Sequence, residues 1–291
     1  ALSPTSGCNF VETLSSFPAT GYPWRRVAEE NGAEIRLDGP DENLYTDPEE
    51  IFALIDQDTS VVTLSYVEDS NGQRYDLPRF AGAAHSVGAV LIVDATQSMG
   101  MLTIDASATG ADALVSSGHK WPRGTYGAAA GYISPSPRDG LVPGLLGFRS
   151  HADLWDLRAD RLELADDASR FEYTTIHFGA ALGLAAAVDE LVQMSMEEVW
   201  RHDLSLADSV IEGAANLDLK IASPLSKAER SAIVSLRLPE GVSSAEVARR
   251  LQDDYGILVT SRAGLLRVSP HIDNDDNEVR MLLEALAEIL A

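Results

Sequence analysis

The stretch Val90-Leu91-Ile92-Val93-Asp94-Ala95-Thr96-Gln97 decides the fold, because an apolar, β-branched run ends there in a carboxylate. A second apolar run, Ala113-Leu114-Val115, leads into Ser116-Ser117-Gly118-His119-Lys120-Trp121. Short apolar runs of this kind are typical of strands buried in a parallel sheet. Side chains that carry out chemistry in such a sheet lie at the carboxyl ends of its strands. We therefore expect Asp94 and Lys120 to lie at the same edge of one sheet.

An aspartate and a lysine at such an edge are the minimum that pyridoxal 5′-phosphate (PLP) requires. The lysine forms a Schiff base with the cofactor, and the carboxylate keeps the pyridine nitrogen protonated, so that the ring accepts electrons from a substrate carbanion. Only three of the 22 basic residues are lysines, and an arginine cannot form an imine. An ordinary loop lysine and a capping aspartate are the simpler alternatives, but Gln97, Ser117 and His119 nearby favour the cofactor site.

Helical and strand patterns alternate along the rest of the chain, which indicates a mainly parallel sheet. We predict a helix from Tyr22 to Asn31 and a loop-rich region from Pro135 to Arg170. Two long helices are expected to follow, from about His177 through Met194 and from Ser195 to about Asn216. The later strands are expected to include Gly256-Ile257-Leu258-Val259-Thr260.

The ordered set of short motifs resembles the class V branch of the fold-type I PLP enzymes, which includes cysteine desulfurases, cysteine C–S lyases, isopenicillin N epimerase-like enzymes and kynureninase. The matching segments run nearly from end to end of the chain: residues 16–24, 65–72, 94–97, 117–121, 171–175 and 266–269. The resemblance implies an α/β fold, with a mainly parallel large domain that has helices on both faces and a smaller α+β C-terminal domain. We place the large PLP-binding domain at residues 1–205 and the small domain at residues 206–291.

The resemblance also implies how the chain holds the ring of PLP. Lys120 would form the Schiff base and act in catalysis. Asp94 would pair with the pyridine nitrogen, and Gln97 would hydrogen-bond the phenolic oxygen of the ring. Phe17 falls where relatives place the aromatic ring that stacks on the cofactor, and a core position is the alternative for this residue.

The phosphate of the cofactor is expected to be contacted from both subunits of a homodimer. Ser117 and His119 would contact the phosphate within their own subunit, and Thr175 would reach the phosphate of the other subunit. For His119, a partly buried structural role and a role in proton transfer are the alternatives. The resemblance therefore implies a homodimer with shared active sites.

Arg267, within the apolar run Leu265-Leu266-Arg267-Val268-Ser269, is expected to bind the α-carboxylate of an amino-acid substrate. A buried guanidinium needs a carboxylate partner, and its planar fork suits a substrate carboxylate. The alternative is an internal salt bridge to an aspartate or a glutamate. Arg262 is a second candidate for binding the substrate, and Tyr66 is expected to face it.

Composition excludes several other classes of function. The formal net charge of −23 argues against binding to nucleic acid and against anionic membrane surfaces, both of which require a basic face. The chain has one cysteine, Cys8, so it cannot form an internal disulfide or a cysteine metal cluster. The single cysteine fits a reducing compartment, and we expect a cytoplasmic protein. The histidines show no metal-binding spacing, and no metal is expected.

The type of reaction depends on what is absent near Arg267. Cysteine desulfurases need a nucleophilic cysteine shortly before that arginine, and residues 262–266 contain none. The remaining reactions are elimination, racemisation or epimerisation, and transamination. We favour a C–S lyase, with an aminotransferase or an epimerase as the alternative. Relatives also carry a preceding segment that binds the phosphate, and residues 1–16 do not replace it. A segment missing from the sequence, or a truncated, non-catalytic domain of a larger assembly, is therefore a further alternative.

Overall fold

The computed structural model describes residues 2, 4, 6–42, 44–135 and 141–291 of the chain. The N-terminal half of this described part is built on a six-stranded sheet with the strand order β2-β1-β3-β4-β5-β6. Neighbouring strands run parallel up to β5, and β6 pairs antiparallel with β5. The strands are β1 (Asn9–Thr13), β2 (Glu34–Asp38), β3 (Thr59–Ser65), β4 (Val90–Asp94), β5 (Ala113–Ser117) and β6 (Ala129–Ile133).

Three helices connect the parallel strands, and local sequence explains where they begin. They are α1 (Pro18–Asn31), α2 (Pro48–Ala53) and α3 (Leu77–Ser86). The Asp47 side chain accepts a hydrogen bond from the backbone N–H of Glu49 and so caps α2. The prediction that the first helix begins at Tyr22 was wrong, because α1 already begins at Pro18, whose fixed φ suits the first helical position.

The C-terminal half consists of helices and a small antiparallel sheet. Helices α4 (Phe178–Met194) and α5 (Met196–Asn216) confirm the two long helices predicted from the sequence. The sheet has the order β7-β8-β10-β9. Its strands are β7 (Lys220–Ile221), β8 (Val234–Arg237), β9 (Thr260–Arg262) and β10 (Leu265–Val268), and the remaining helices are α6 (Ser244–Tyr255) and α7 (Asp276–Leu290). The position proposed for the domain boundary, residues 205–206, falls inside α5.

Two sequence predictions about this half of the chain have different outcomes. Between β6 and α4, the residues that the structure describes from 141 onwards include two short 3₁₀ helices, Phe148–Ser150 and Ala168–Phe171, among loops, in agreement with the predicted loop-rich character. The predicted strand at residues 256–260 was wrong, since residues 256–259 have no strand structure and β9 begins at Thr260. Leu258 is 78% exposed, whereas Ile257 and Val259 pack against the buried cluster without belonging to a strand.

One apolar core joins the small sheet to the large one. Leu206 of α5, Leu236 of β8 and Leu266 of β10 belong to the same buried cluster as Met101 and Trp121, which follow strands of the large sheet. A second cluster fills the space between the large sheet and its helices, with Phe80 and Leu91 among its members. Because Trp121 directly follows Lys120, the packing of this shared core fixes β10 relative to the lysine.

A buried histidine adds a polar link between the same two parts. His271 follows β10, and its Nε2 donates to the backbone carbonyl of Trp121 at 2.8 Å. Its Nδ1 lies 2.7 Å from Oδ2 of Asp203, a fully buried carboxyl group on α5. Burial raises the pKa of Asp203, whereas His271 opposes the rise. The histidine therefore ties α5 and the chain after β10 to the residue that follows the lysine.

Helix α4 is rich in apolar residues but buries few of them. Its buried residues are Ala180 and Leu191, whereas Leu182 is 70% exposed and Val192 is 65% exposed. Among the described helices, α4 included, none combines the length and hydropathy that crossing a membrane requires. The exposed side of α4 is thus an apolar surface without a partner in the described part of this chain.

Candidate active site

The carboxyl ends of three adjacent parallel strands form one edge of a cavity. Ser65 ends β3, Asp94 ends β4 and Ser117 ends β5, and these strands are direct neighbours in the sheet. In the β3–β4 pair, Ser65 lies opposite Asp94. The cavity has a volume of about 320 Å³. It brings together six residues that the sequence predicted for the cofactor site: Phe17, Asp94, Gln97, Ser117, His119 and Lys120.

The carboxylate of Asp94 is held in place by two groups that the sequence analysis did not single out for the site. The backbone N–H of Thr96 donates to Oδ1 at 2.8 Å. The hydroxyl of Thr20, in the first turn of α1, donates to Oδ2 at 3.2 Å. The aspartate is only partly buried and lines the cavity. These two hydrogen bonds fix a carboxylate at the strand end with its orientation set, as an anion facing a cationic ligand requires.

Gln97 is buried, and the direction of its amide group is determined by Trp121. The indole Nε1–H of Trp121 donates to Oε1 of Gln97 at 2.9 Å. An indole N–H can only donate, so the oxygen of the amide must face Trp121. The Nε2 group, which carries two donor hydrogens, is then the end of the amide that is left for another partner. A hydrogen-bond acceptor in the cavity would satisfy it.

Lys120 lies beside an aromatic ring in a partly buried position. Its Nζ is 5.5 Å from the centroid of the Phe17 ring. Burial lowers the pKa of the Lys120 amine, Asp69 opposes this effect, and Arg267 adds to it. A lowered pKa increases the fraction of neutral amine, and the neutral amine is the form that attacks a carbonyl or accepts a proton.

Ser117 and His119 lie on the side of the cavity near the end of β5. The Oγ of Ser117 is buried and has no hydrogen-bond partner among the residues that the structure describes. A buried hydroxyl without a partner is costly, so this atom suits a ligand that brings an acceptor. The His119 ring stacks on Tyr126, with 4.4 Å between ring centroids and an interplanar angle of 22°. Both side chains line the cavity.

The two arginines predicted to bind substrate meet at one carboxylate. Nη1 of Arg267 donates to the backbone carbonyl of Asp69 at 2.6 Å and lies 3.5 Å from its Oδ2. Nε of Arg262 lies 3.8 Å from the same Oδ2. Asp69 itself lines the cavity with Lys120. An internal ion pair, the alternative considered for Arg267, is therefore present, and it lies at the edge of the cavity.

Besides the two arginines, which meet Asp69 at the edge of the cavity, two further predicted residues do not line it. Thr175 lines a different cavity of about 630 Å³, together with residues 127–129 and part of α4. Tyr66 is partly buried against both large apolar clusters, and it does not line the cavity that contains Lys120. Tyr66 nevertheless lies next to the site, because its backbone N–H donates to the backbone carbonyl of Asp94 at 2.8 Å.

The sequence analysis missed a pair of acidic residues, Glu68 and Asp69, on the loop after β3. Glu68 is fully buried, and burial together with the nearby Asp69 raises its pKa to about 8. Ser16, next to Phe17, donates through Oγ to Oε1 of Glu68 at 3.3 Å. The signal that could have revealed this pair was two adjacent carboxylates directly after an apolar strand, at the same sheet edge as Asp94.

Comparisons with known proteins find relatives over most of this chain. The family model described as Aminotransferase class-V matches residues 3–282. A probable cysteine desulfurase from Methanothermobacter thermautotrophicus is 28% identical over 96% of this chain and 71% of its own length. A kynureninase from Pseudomonas fluorescens is 29% identical over 84% of this chain and 59% of its own length.

Solved structures share the same fold. The apo structure of a cysteine desulfurase from Thermococcus onnurineus NA1 has a TM-score of 0.87 and 26% identity, and the match covers 98% of this chain and 73% of that one. The cystine C-S lyase C-DES, in complex with cysteine persulfide, has a TM-score of 0.89 and 21% identity, with 99% and 77% of the two chains covered. The expected α/β fold is confirmed, and this chain belongs to the aminotransferase class-V family of PLP-dependent enzymes.

Proposed function

We propose that the protein is a PLP-dependent C–S lyase that performs β-elimination on cysteine or an S-substituted cysteine without using a protein thiol. The observation that carries this proposal is the cavity that holds Lys120 and Asp94 but no cysteine. Cys8, the one cysteine of the chain, is buried in an apolar cluster just before β1. That position is at the amino end of a parallel strand, which is the edge of the sheet opposite to the cavity.

The groups in the cavity fit PLP. Asp94 offers an oriented carboxylate to the pyridine nitrogen, and Gln97 offers its Nε2 hydrogens to the phenolic oxygen. The Oγ of Ser117, which has no partner within the described part of the chain, suits a phosphate oxygen, with His119 beside it. Lys120 would hold the cofactor covalently. When bound, PLP supplies an electron-accepting ring next to the α-carbon of the amino acid.

The remaining chemistry belongs to the side chains of the protein. Arg267 would bind the substrate α-carboxylate, and its buried Nε, without a partner among the described residues, is free to donate to it. The lowered pKa of Lys120 makes its amine a suitable base for the α-proton. In β-elimination the α C–H and β C–S bonds break, the sulfur leaves as a thiol, and the rest of the amino acid becomes pyruvate and ammonia after hydrolysis.

The apolar side of α4 supports a homodimer. Leu182 and Val192 expose a surface that a second copy could bury. Thr175 lies in a cavity next to α4, so it would act on the phosphate of the other subunit only across such an interface. The protein is expected to sediment as a dimer at micromolar concentration. A monomer would contradict both the homodimer and the role of Thr175 at the other subunit's phosphate. A cytoplasmic location stays a prediction from cysteine content.

The test begins with purified protein that has been incubated with PLP. An absorbance band at the edge of the visible range is expected, which borohydride or Lys120→Ala removes and the control Lys220→Ala retains. Incubation with cysteine, cystine and S-ethylcysteine should then release pyruvate and ammonia together with sulfide, cysteine persulfide and ethanethiol, respectively. Conversion of the cofactor to its pyridoxamine form without pyruvate would replace the lyase with an aminotransferase. Protein that never takes up PLP would support the non-catalytic alternative.

A further inference from the structure

Asp69 lies at the centre of the charged groups on the substrate side of the cavity. Its side chain is 15% exposed and lines the cavity that contains Lys120. Burial lowers the pKa of both Arg267 and Lys120, and the negative charge of Asp69 is the strongest influence that opposes this lowering in each case. Neither the roles implied for the cofactor nor those implied for the α-carboxylate use this carboxylate.

The backbone and the side chain of Asp69 make different contacts with the arginines. The short contact to Arg267, at 2.6 Å, is made by the backbone carbonyl oxygen and would survive replacement of the side chain. The carboxylate itself lies farther from the arginines, at 3.5 Å from Arg267 and 3.8 Å from Arg262. The carboxylate is therefore not needed to orient Arg267, and its main effect on the site is its negative charge.

A count of charges shows what this negative charge does. Arg262 and Arg267 supply two positive charges, and Asp69 supplies one negative charge. One substrate carboxylate bound at Arg267 makes this group of ions neutral. A second anionic group on the substrate would leave the group net negative in a partly buried place, where like charges repel one another and weaken binding. Without Asp69, the two arginines would match a substrate with two carboxylates.

We propose that Asp69 is a specificity-determining residue that admits amino acids with one carboxylate and excludes those with a second anionic group on the side chain. The inference rests on the proposed function for its substrate class, S-substituted cysteines. A purely structural counter-ion for the two arginines would affect stability but would not distinguish between neutral and anionic substrates of the same shape.

The test compares two substrates of equal size, S-carbamoylmethyl-L-cysteine and S-carboxymethyl-L-cysteine, by release of pyruvate. The wild-type protein should prefer the neutral amide in kcat/KM by about tenfold or more, through KM. Asp69→Asn, which keeps the backbone contact, should bring this ratio close to one, and Asp69→Glu should retain the preference. Arg262→Gln, a change at a half-exposed side chain, should increase the preference. An unchanged ratio in both Asp69→Asn and Arg262→Gln would overturn the inference.

A binding measurement separates this inference from the lyase itself. Calorimetry with PLP-loaded protein compares succinamate with succinate, which differ only by an amide in place of one carboxylate. The wild-type protein should bind succinamate more tightly, and Asp69→Asn should remove that difference. If this difference in binding is observed but no pyruvate is released from any S-substituted cysteine, the role of Asp69 stands and the lyase proposal is refuted. Equal binding of the two ligands by the wild-type protein would overturn the role of Asp69 and leave the lyase proposal standing.

Discussion

Replacing Glu68 by glutamine should make the stability of the protein less dependent on pH. Glu68 is fully buried, and its Oε2 has no hydrogen-bond partner within the described part of the chain. Burial, reinforced by Asp69, raises its pKa from 4.5 to about 8. The native protein therefore holds this proton at neutral pH, where the unfolded chain has already released it. Glutamine has the shape of the protonated acid and has no proton to lose in this range.

The sign and size of the effect follow from the linkage between proton binding and folding. The stabilisation associated with neutral Glu68 is fully present below pH 4.5 and is lost as the pH rises through about 8. Each pH unit between these values corresponds to about 1.4 kcal/mol, which gives about 5 kcal/mol over the whole interval. This is an upper limit, because the folded protein can rearrange around the ionised group. A constant difference in stability between Glu68→Gln and the wild-type protein does not change with pH and leaves the comparison unaffected.

The assay is urea unfolding of the wild-type protein and of Glu68→Gln at several values from about pH 5 to about pH 9, with cofactor-free samples. The free energy of unfolding of the variant should rise relative to that of the wild-type protein across this range, by several kcal/mol in total. Glu240→Gln, at an exposed turn after β8, is the matched control and should run parallel to the wild-type protein. Parallel curves for Glu68→Gln as well would refute the reasoning about its buried proton.

Three further predictions concern the site and the surface. Trp121→Phe removes the donor that orients the Gln97 amide, so PLP should bind about tenfold more weakly in an absorbance titration, whereas Trp24→Phe should leave its affinity unchanged. Arg267→Lys keeps the charge but loses the planar fork, so KM for the amino acid should rise about tenfold with a smaller change in kcat; a fall in kcat alone would contradict carboxylate binding. The net charge of −23 should make the protein more heat-stable as NaCl is raised from about 0.1 M to about 1 M, and a constant or falling Tm would show that charge repulsion is not significant.

The parts of the site that the sequence predicted are those that local patterns determine. Asp94 and Ser117 each end an apolar strand. Because these two strands are parallel neighbours, their carboxyl ends lie at the same sheet edge, and the two residues lie close together regardless of the loop conformations. Lys120 follows only a few residues later, so its position was also limited by the strand. Gln97, His119 and Phe17 also line the cavity, but their roles in it were predicted from the family resemblance, and for Phe17 from the resemblance alone.

The parts that the sequence did not predict depend on contacts between distant segments. The ion pairs between Asp69 and the two arginines join residues nearly two hundred positions apart, and no local pattern indicates which carboxylate an arginine will meet. The support of Asp94 by Thr20 depends on where α1 begins, and α1 begins at Pro18 instead of Tyr22. The error at residues 256–259 has a related cause, since an apolar run forms a strand only where a neighbouring strand is available to pair with it.

The bond between His271 and the carbonyl of Trp121 has a consequence for anyone who recombines this protein with a relative. Consider a chimera whose junction lies between residues 121 and 203. Asp203, Arg267 and His271 then come from one parent protein, and the residue at position 121 comes from the other. His271 would then have to form its hydrogen bond with a backbone carbonyl of the other parent protein, at the position directly after the reactive lysine. Chimeras that preserve this contact should keep the absorbance spectrum of bound PLP. Chimeras that disturb it should show a changed spectrum before any substrate is added.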